Sequence, residues 1–140
     1  MILKHAKADS EIERCFPVMA ELRPHLKQEE FLDLVRHLQT EGYHLAYIEQ
    51  DTEVVCVAGY RISTNLFLGK NLYIDDLVTS ERYRSMGHGE TMIAQLRSVA
   101  RENRCLHLHL DSGTQRHGAH KFYFRRGFAV SSFHFDEKLE

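Results

Sequence analysis

The chain has 140 residues, 43% of them hydrophobic, enough for one compact domain over residues 1–140 and too few for a second of any size. Its 18 Lys and Arg stand against 20 Asp and Glu, a net charge of -2 with the signs interspersed, so no basic face is present to neutralise a phosphate backbone and nucleic acid is not an expected partner. No apolar run reaches bilayer length, the opening "MILKHAKADSEIE" lacks the apolar stretch of an export signal, and Cys15, Cys56 and Cys105 are odd in number and set among apolar residues. The expectation is a cytoplasmic chain with reduced thiols and no membrane partner.

In chain order, "ADSEIERCFPVMAEL" places Ile12, Cys15, Phe16, Met19 and Leu22 at helical spacing, with Asp9 or Ser10 as the cap and Pro17 inside, where it should bend or split the helix. "QEEFLDLVRHLQTEGY" gives a second helix with Phe31, Leu34, Val35 and Leu38 on one stripe and Gly42 at its end. The period then changes. "YHLAYIEQDTEVVCVAGYRIS" reads as two strands of an antiparallel hairpin around "EQDTE", "TNLFLGKN" reads as a looser connection, and "LYIDDLVT" as a further strand.

The next unit is a strand, the loop "SERYRSMGHG", a helix with Met92, Ile93, Leu96, Val99 and Ala100 facing inward, and the strand "CLHLHLD" with Leu106, Leu108 and Leu110 alternating. A β-loop-α-β order predicts parallel pairing and aims the helix N-terminus at the carboxyl ends of the strands. There the unsatisfied N–H groups and the positive dipole end attract an anion, and Gly87 and Gly89 remove side chains that would hold a phosphate away. The residue after Gly89 is Glu90, then Thr91, so the Gly-Lys-Ser/Thr ending of a triphosphate loop is absent. A dinucleotide fingerprint would need a small residue where Met92 stands.

The run "DDLVTSERYRSMGHGETMIAQLRSVARENRCLHLHLDSG" followed by "AHKFYFRRGF" resembles the acetyl-coenzyme A binding core of the GNAT superfamily of N-acetyltransferases, whose Arg/Gln-x-x-Gly-x-Gly/Ala loop is filled by Arg84 to Gly89. The resemblance spans the chain. It implies an α/β fold with a mixed, mostly antiparallel central sheet, splayed strands 4 and 5, flanking helices, and a C-terminal strand pair in "GFAVSSFHFDEKL". It also implies that backbone N–H groups of Ser85, Met86, Gly87, His88, Gly89 and Glu90 bind the coenzyme A pyrophosphate, that Arg84 sets the loop, and that Leu77 and Val78 pair main chain with the pantetheine arm. Tyr123 occupies the position of a tyrosine whose hydroxyl approaches the coenzyme sulfur. Where many members carry an Asn contact to the pantetheine, the register gives Arg116, which could instead reach a phosphate or an acidic substrate group.

Acetyl transfer from a thioester to an amine needs a neutral nucleophile, a hold on the developing oxyanion and a proton for the thiolate. An alkylamine with pKa ~10.4 is mostly protonated at neutral pH, so a base or water relay must take its proton. Asp75 and Asp76 are the candidates on the strand and Asp111 on the facing one; alternation sends Asp75 and Asp76 to opposite faces unless a bulge intervenes, and Asp76 or a water relay is preferred. Tyr123, with a phenol pKa ~10, is the candidate acid, and only proximity to the sulfur would let it serve. A covalent acyl-enzyme is disfavoured because Cys105 starts its strand at the end away from the cleft.

Cys105, His107 and His109 alternate on one strand face, but donors roughly 6–7 Å apart by strand rise supply two ligands at best, so no metal is expected. His117 and His120 read as surface or cleft residues; Arg125 and Arg126 either meet the adenosine phosphate or merely suit a helix end. The acceptor is expected to be a small-molecule amine, held between the first two helices and "RISTNLFLGKNLY". The alternatives are a non-catalytic acyl-coenzyme A sensor or interaction module and a protein-lysine acetyltransferase. Relatives of this kind often pair, so a homodimer is compatible with the reading.

Overall fold

The computed structural model describes residues 2–140. Among them a five-stranded sheet runs in the order β1 (Lys4–His5), β2 (Tyr43–Gln50), β3 (Glu53–Asn65), β4 (Gly69–Thr79), β5 (His107–Leu110). The first four strands pair antiparallel and β5 joins β4 in parallel, so the sheet is mixed and mostly antiparallel as expected. Helices α1 (Asp9–Leu22) and α2 (Gln28–Thr40) cover one face; α3 (His88–Glu102) and α4 (His117–Arg125) lie on the other.

Two apolar cores follow from this layering. One joins Ile12, Cys15 and Met19 of α1 and Phe31 and Val35 of α2 to Leu45, Tyr47 and Val57. The other joins Met92, Ile93 and Leu96 of α3 to Ala46, Ile48, Leu72 and Ile74. Neighbours on β2 alternate between the two cores, because successive strand side chains point to opposite faces and both faces here are covered. The α2 stripe is narrower than its sequence suggests: Leu34 is exposed while Phe31 and Val35 are buried.

Helix α1 passes through Pro17 unbroken, against the expected split. Pro17 removes one intrahelical donor, and burial of Ile12, Cys15, Val18 and Met19 outweighs that loss. Its cap is Ala8, not Asp9 or Ser10; the Glu11 carboxylate takes the backbone N–H groups of Lys7 and Ala8, doing from inside the first turn what a polar cap does from outside. Gly42, at φ +91°, follows α2 and carries the chain into β2.

"TNLFLGKN" is a tight hairpin, not a loose connection. The Asn65 side chain accepts the N–H groups of Phe67 and Leu68, so β3 and β4 stay paired from Asn65↔Gly69 inward. The expected C-terminal strand pair is absent: residues 128–140 follow α4 with no strand among them. Its apolar alternation has no paired edge to lie on within the chain, and periodicity alone cannot supply one.

Candidate active site

Between β4 and α3 the chain makes a short 3-10 turn at Glu81–Tyr83 and then turns sharply through Ser85 at φ +65° and Gly87 at φ +84°. Gly87 is the N-cap of α3 in the left-handed region that glycine enters at little cost. The first helical bond runs from Thr91 N–H to the Gly87 carbonyl, which leaves the N–H groups of His88, Gly89 and Glu90 directed out of the helix mouth with no acceptor inside the helix. A Cβ on Gly87 would meet nothing within 4 Å, so its surroundings are open. Gly89 does something else. A Cβ there would lie 3.3 Å from Phe122 Cζ and 3.6 Å from Thr79 Oγ1, so this glycine lets α3 close against α4 and β4. The space beside Gly87 is open, whereas the space beside Gly89 is taken up by packing against Phe122 and Thr79.

The other loop residues sit around that mouth. Arg84 Nε lies 3.4 Å from the Thr79 carbonyl, and its guanidinium is 3.9 Å from Glu21. Met86 is exposed. The His88 ring is buried against the edge of Tyr83, its Nε2 enclosed without a partner. Glu90 pairs with Arg126, whose guanidinium stacks over Phe122, so Arg126 ties α4 to α3 while Arg125 stays exposed.

Pairing of β4 with β5 ends at Ile74↔Leu110, yet β4 continues to Thr79. Beyond Ile74, β4 pairs only with β3, Leu77 opposite Ala58 and Val78 opposite Val57, so the β4 edge next to the helix mouth is left uncovered by β5. The strands part at a β-bulge: Tyr60 faces Ile74 and Gly59 faces Asp76, which makes Asp75 the extra residue. The bulge overrides the simple alternation that would separate the two carboxylates. Asp75 Oδ2 accepts from Arg61 Nε at 3.0 Å, Arg61 lies over the Tyr43 ring, and the Tyr43 hydroxyl donates to Asp76 Oδ2 at 2.8 Å, so both acids converge on the face covered by α1 and α2.

The two differ in their hydrogen-bond partners. Asp76 is saturated: besides Tyr43 it takes Arg23 Nε at 3.0 Å on Oδ1. Room for Tyr43 is made by Gly59, where a Cβ would fall 1.8 Å from the phenol oxygen. Asp75 keeps Oδ1 buried and unpartnered. Burial raises its pKa above the ordinary carboxylate value, Arg61 opposes the rise and the neighbouring Asp76 adds to it.

A cleft of about 970 Å³ opens on Asp75, lined by Arg23, Tyr73, Asp75, Asp111, His120 and Tyr123 and bordered by the C-terminal segment; Asp76 does not line it. Of "RISTNLFLGKNLY", only Tyr73 lines this cleft. The Tyr73 hydroxyl donates to Asp111 Oδ2 at 2.6 Å, where the pairing of β4 with β5 comes to its end. Tyr123 projects from α4 with its ring edge-on to Phe122 and Phe128; burial raises its pKa and the charge of Arg116 works against the rise. Arg116 itself is the exposed N-cap of α4.

Arg23, Arg61, Tyr43 and Tyr73 did not emerge from sequence pattern. Arg61 is the one with a usable signal: once "TNLFLGKN" is read as a tight turn, the register sets it opposite Tyr73, two residues from Asp75. On β5 and α4 the remaining donors are spent separately, His109 Nε2 on Asn71 Oδ1 and His120 Nε2 on the Gly113 carbonyl, each at 2.8 Å. Burial holds Cys15 and Cys56 as thiols, pushed up to about 12 and about 11.

A family model described as "Acetyltransferase (GNAT) family" matches residues 7–128. The chain is 32% identical over 135 residues to "Uncharacterized N-acetyltransferase YhdJ" of Bacillus subtilis (strain 168), covering 95% of each sequence. Among solved structures it resembles a putative acetyltransferase from Agrobacterium tumefaciens str. C58, at TM-score 0.85 and 21% identity over 99% of both chains. It also resembles the aminoglycoside N-acetyltransferase AAC(6')-Iy in complex with CoA, at TM-score 0.85 and 14% identity over 99% of this chain and 94% of that one.

Proposed function

The chain belongs to the acetyltransferase (GNAT) family, and from that premise we propose that it transfers acetyl from acetyl-coenzyme A directly to the amine of a small molecule. The observation that carries the reading is the junction of an unsatisfied helix mouth at His88 to Glu90 with an uncovered β4 edge at Leu77 and Val78. A diphosphate fits the first, because free N–H groups and the helix dipole face open space beside Gly87. An extended amide chain fits the second, because a strand edge offers alternating donors and acceptors.

The acetyl thioester supplies an activated acyl group at the point where β4 and β5 part. The acceptor enters from the cleft, and its ammonium is drawn by Asp75 and Asp111. Asp75 is the proton acceptor: its buried free Oδ1 is available, and a carboxylate with a raised pKa is a better base than an ordinary one. Asp76, preferred from sequence, instead holds Arg23 and Tyr43 in place. As the amine nitrogen bonds to the acyl carbon and the carbon–sulfur bond breaks, the amine proton passes to Asp75. The departing sulfur takes the Tyr123 phenol proton. Burial keeps Tyr123 protonated at neutral pH, and since its pKa then exceeds that of a thiol, the transfer works only at close range.

Thiol release from acetyl-coenzyme A, measured against a panel of polyamines, amino acids and aminoglycosides, tests the reading. Turnover with at least one amine is expected. Tight coenzyme A binding with no turnover on any amine would leave a sensor, and no calorimetric heat with coenzyme A at low salt would remove the reading altogether.

A further inference from the structure

Arg23 is the only arginine or lysine lining the cleft among the described residues. It stands just past the last residue of α1, and the β4 bulge fixes it from one side. Its Nε donates to Asp76 Oδ1 and its Nη2 to the Asp75 carbonyl, each at 3.0 Å. Nη1 has no hydrogen-bond partner among the described residues, and the side chain is 41% exposed. The guanidinium is thus held along one edge and open along the other. Its counter-ion Asp76 does not line the cleft, whereas Arg23 does, so part of the cation lies beyond the pair. The other bases on the cleft wall are engaged elsewhere: His120 Nε2 bonds the Gly113 carbonyl, and His134 Nδ1 faces Asp111 at 3.8 Å.

We propose that Arg23 selects the acceptor by binding a carboxylate on it, so that the substrate is an α-amino acid and not a simple amine or polyamine. The inference rests on the acetyl-transfer reading and specifies its acceptor. A guanidinium edge matches a carboxylate, and one already fixed by Asp76 and the Asp75 carbonyl loses little further freedom on binding. Spacing decides which amine fits. Arg23 touches the backbone of the same residue whose free Oδ1 takes the amine proton, so the anion site and the base lie within the dimensions of one aspartate. An ammonium and a carboxylate on one carbon span that interval. A simple amine leaves the open guanidinium edge unanswered. Charge selects against a phosphate ester, which carries about -1.5 to -2 at neutral pH, because Asp75, Asp111 and Asp136 stand on the same cleft wall.

Matched acceptors test it: leucine with isopentylamine, phenylalanine with phenethylamine and ornithine with putrescine, each amino acid beside the amine left when its carboxyl group is removed. In the pair with the fastest member, kcat/KM for thiol release from acetyl-coenzyme A, corrected for the fraction of neutral amine, should favour the amino acid at least tenfold, as a charge-assisted hydrogen bond would. Arg23→Gln should reduce that preference at least tenfold, chiefly through the KM of the amino acid. Arg23→Lys, which keeps the charge without the planar edge, should restore part of it. A role confined to pinning Asp76 would instead lower activity on both members of a pair alike. The wild-type comparison needs no variant and stands even if Arg23→Gln fails to fold. Equal or better turnover of the decarboxylated amines, a preference that survives Arg23→Gln, or faster turnover of O-phosphoethanolamine than of any amino acid would each overturn the inference while leaving acetyl transfer to an amine in place. No turnover of any acceptor would remove both.

Discussion

Gly87 allows the conformational and the ligand-facing parts of the helix mouth to be separated by two substitutions. Gly87→Ala places a Cβ at φ +84°, where an L-residue costs about 1–2 kcal/mol, and no contact offsets that cost because nothing lies within 4 Å. For a chain of this size the loss corresponds to a melting temperature lower by about 3–8 °C. Gly87→Asn should recover most of it, since Asn tolerates the left-handed region and is a good N-cap. Its side chain nonetheless projects into the open space assigned to the diphosphate. Displacing even one charge-assisted hydrogen bond there costs about 1.5–3 kcal/mol, so coenzyme A affinity should fall about tenfold to a hundredfold in both variants. Differential scanning calorimetry reads the first quantity and isothermal titration calorimetry the second. A Gly87→Asn protein that binds coenzyme A as tightly as wild type would refute the assignment of this space, whatever its stability.

Three further outcomes follow from the cleft. Asp75→Asn should abolish the acid limb of the pH–rate profile and lower kcat by at least tenfold. The Asp75 pKa is raised in the folded state, so its proton contributes stability below the unfolded pKa that is lost as pH rises through the folded one; ionised Asp75 is a burden at neutral pH, and the melting temperature of the Asn variant at pH 7 should not fall. An unchanged acid limb would remove Asp75 as the base. Tyr123→Phe should lower kcat by about tenfold or more with the coenzyme A dissociation constant unchanged in calorimetry; equal losses in both would make Tyr123 a packing residue only. Gly59→Ala would drive a methyl into the Tyr43 hydroxyl and should cost about 1–3 kcal/mol in denaturant unfolding, where a wild-type midpoint would contradict the packing described around Asp76.

Local order was legible in the sequence because its causes are local. The apolar stripes of α1, α2 and α3, the period-two runs of β2 to β5 and the parallel β4-α3-β5 unit each follow from side-chain spacing along the chain, and the stretch Arg84 to Glu90 carries the pattern of a helix mouth. What required the tertiary structure was every decision made between segments. The bulge at Asp75 arises from pairing with β3 and turns two adjacent acids to one face. Arg23, from beyond α1, takes Asp76 and leaves Asp75 with the free oxygen. Gly89 lacks a side chain where Phe122, thirty-three residues away, packs against α3. The C-terminal run has the pattern of a strand but no edge of its own. Spacing along a chain determines which face a side chain can take, whereas the partner it meets there depends on contacts between distant residues, and those contacts assign the chemistry.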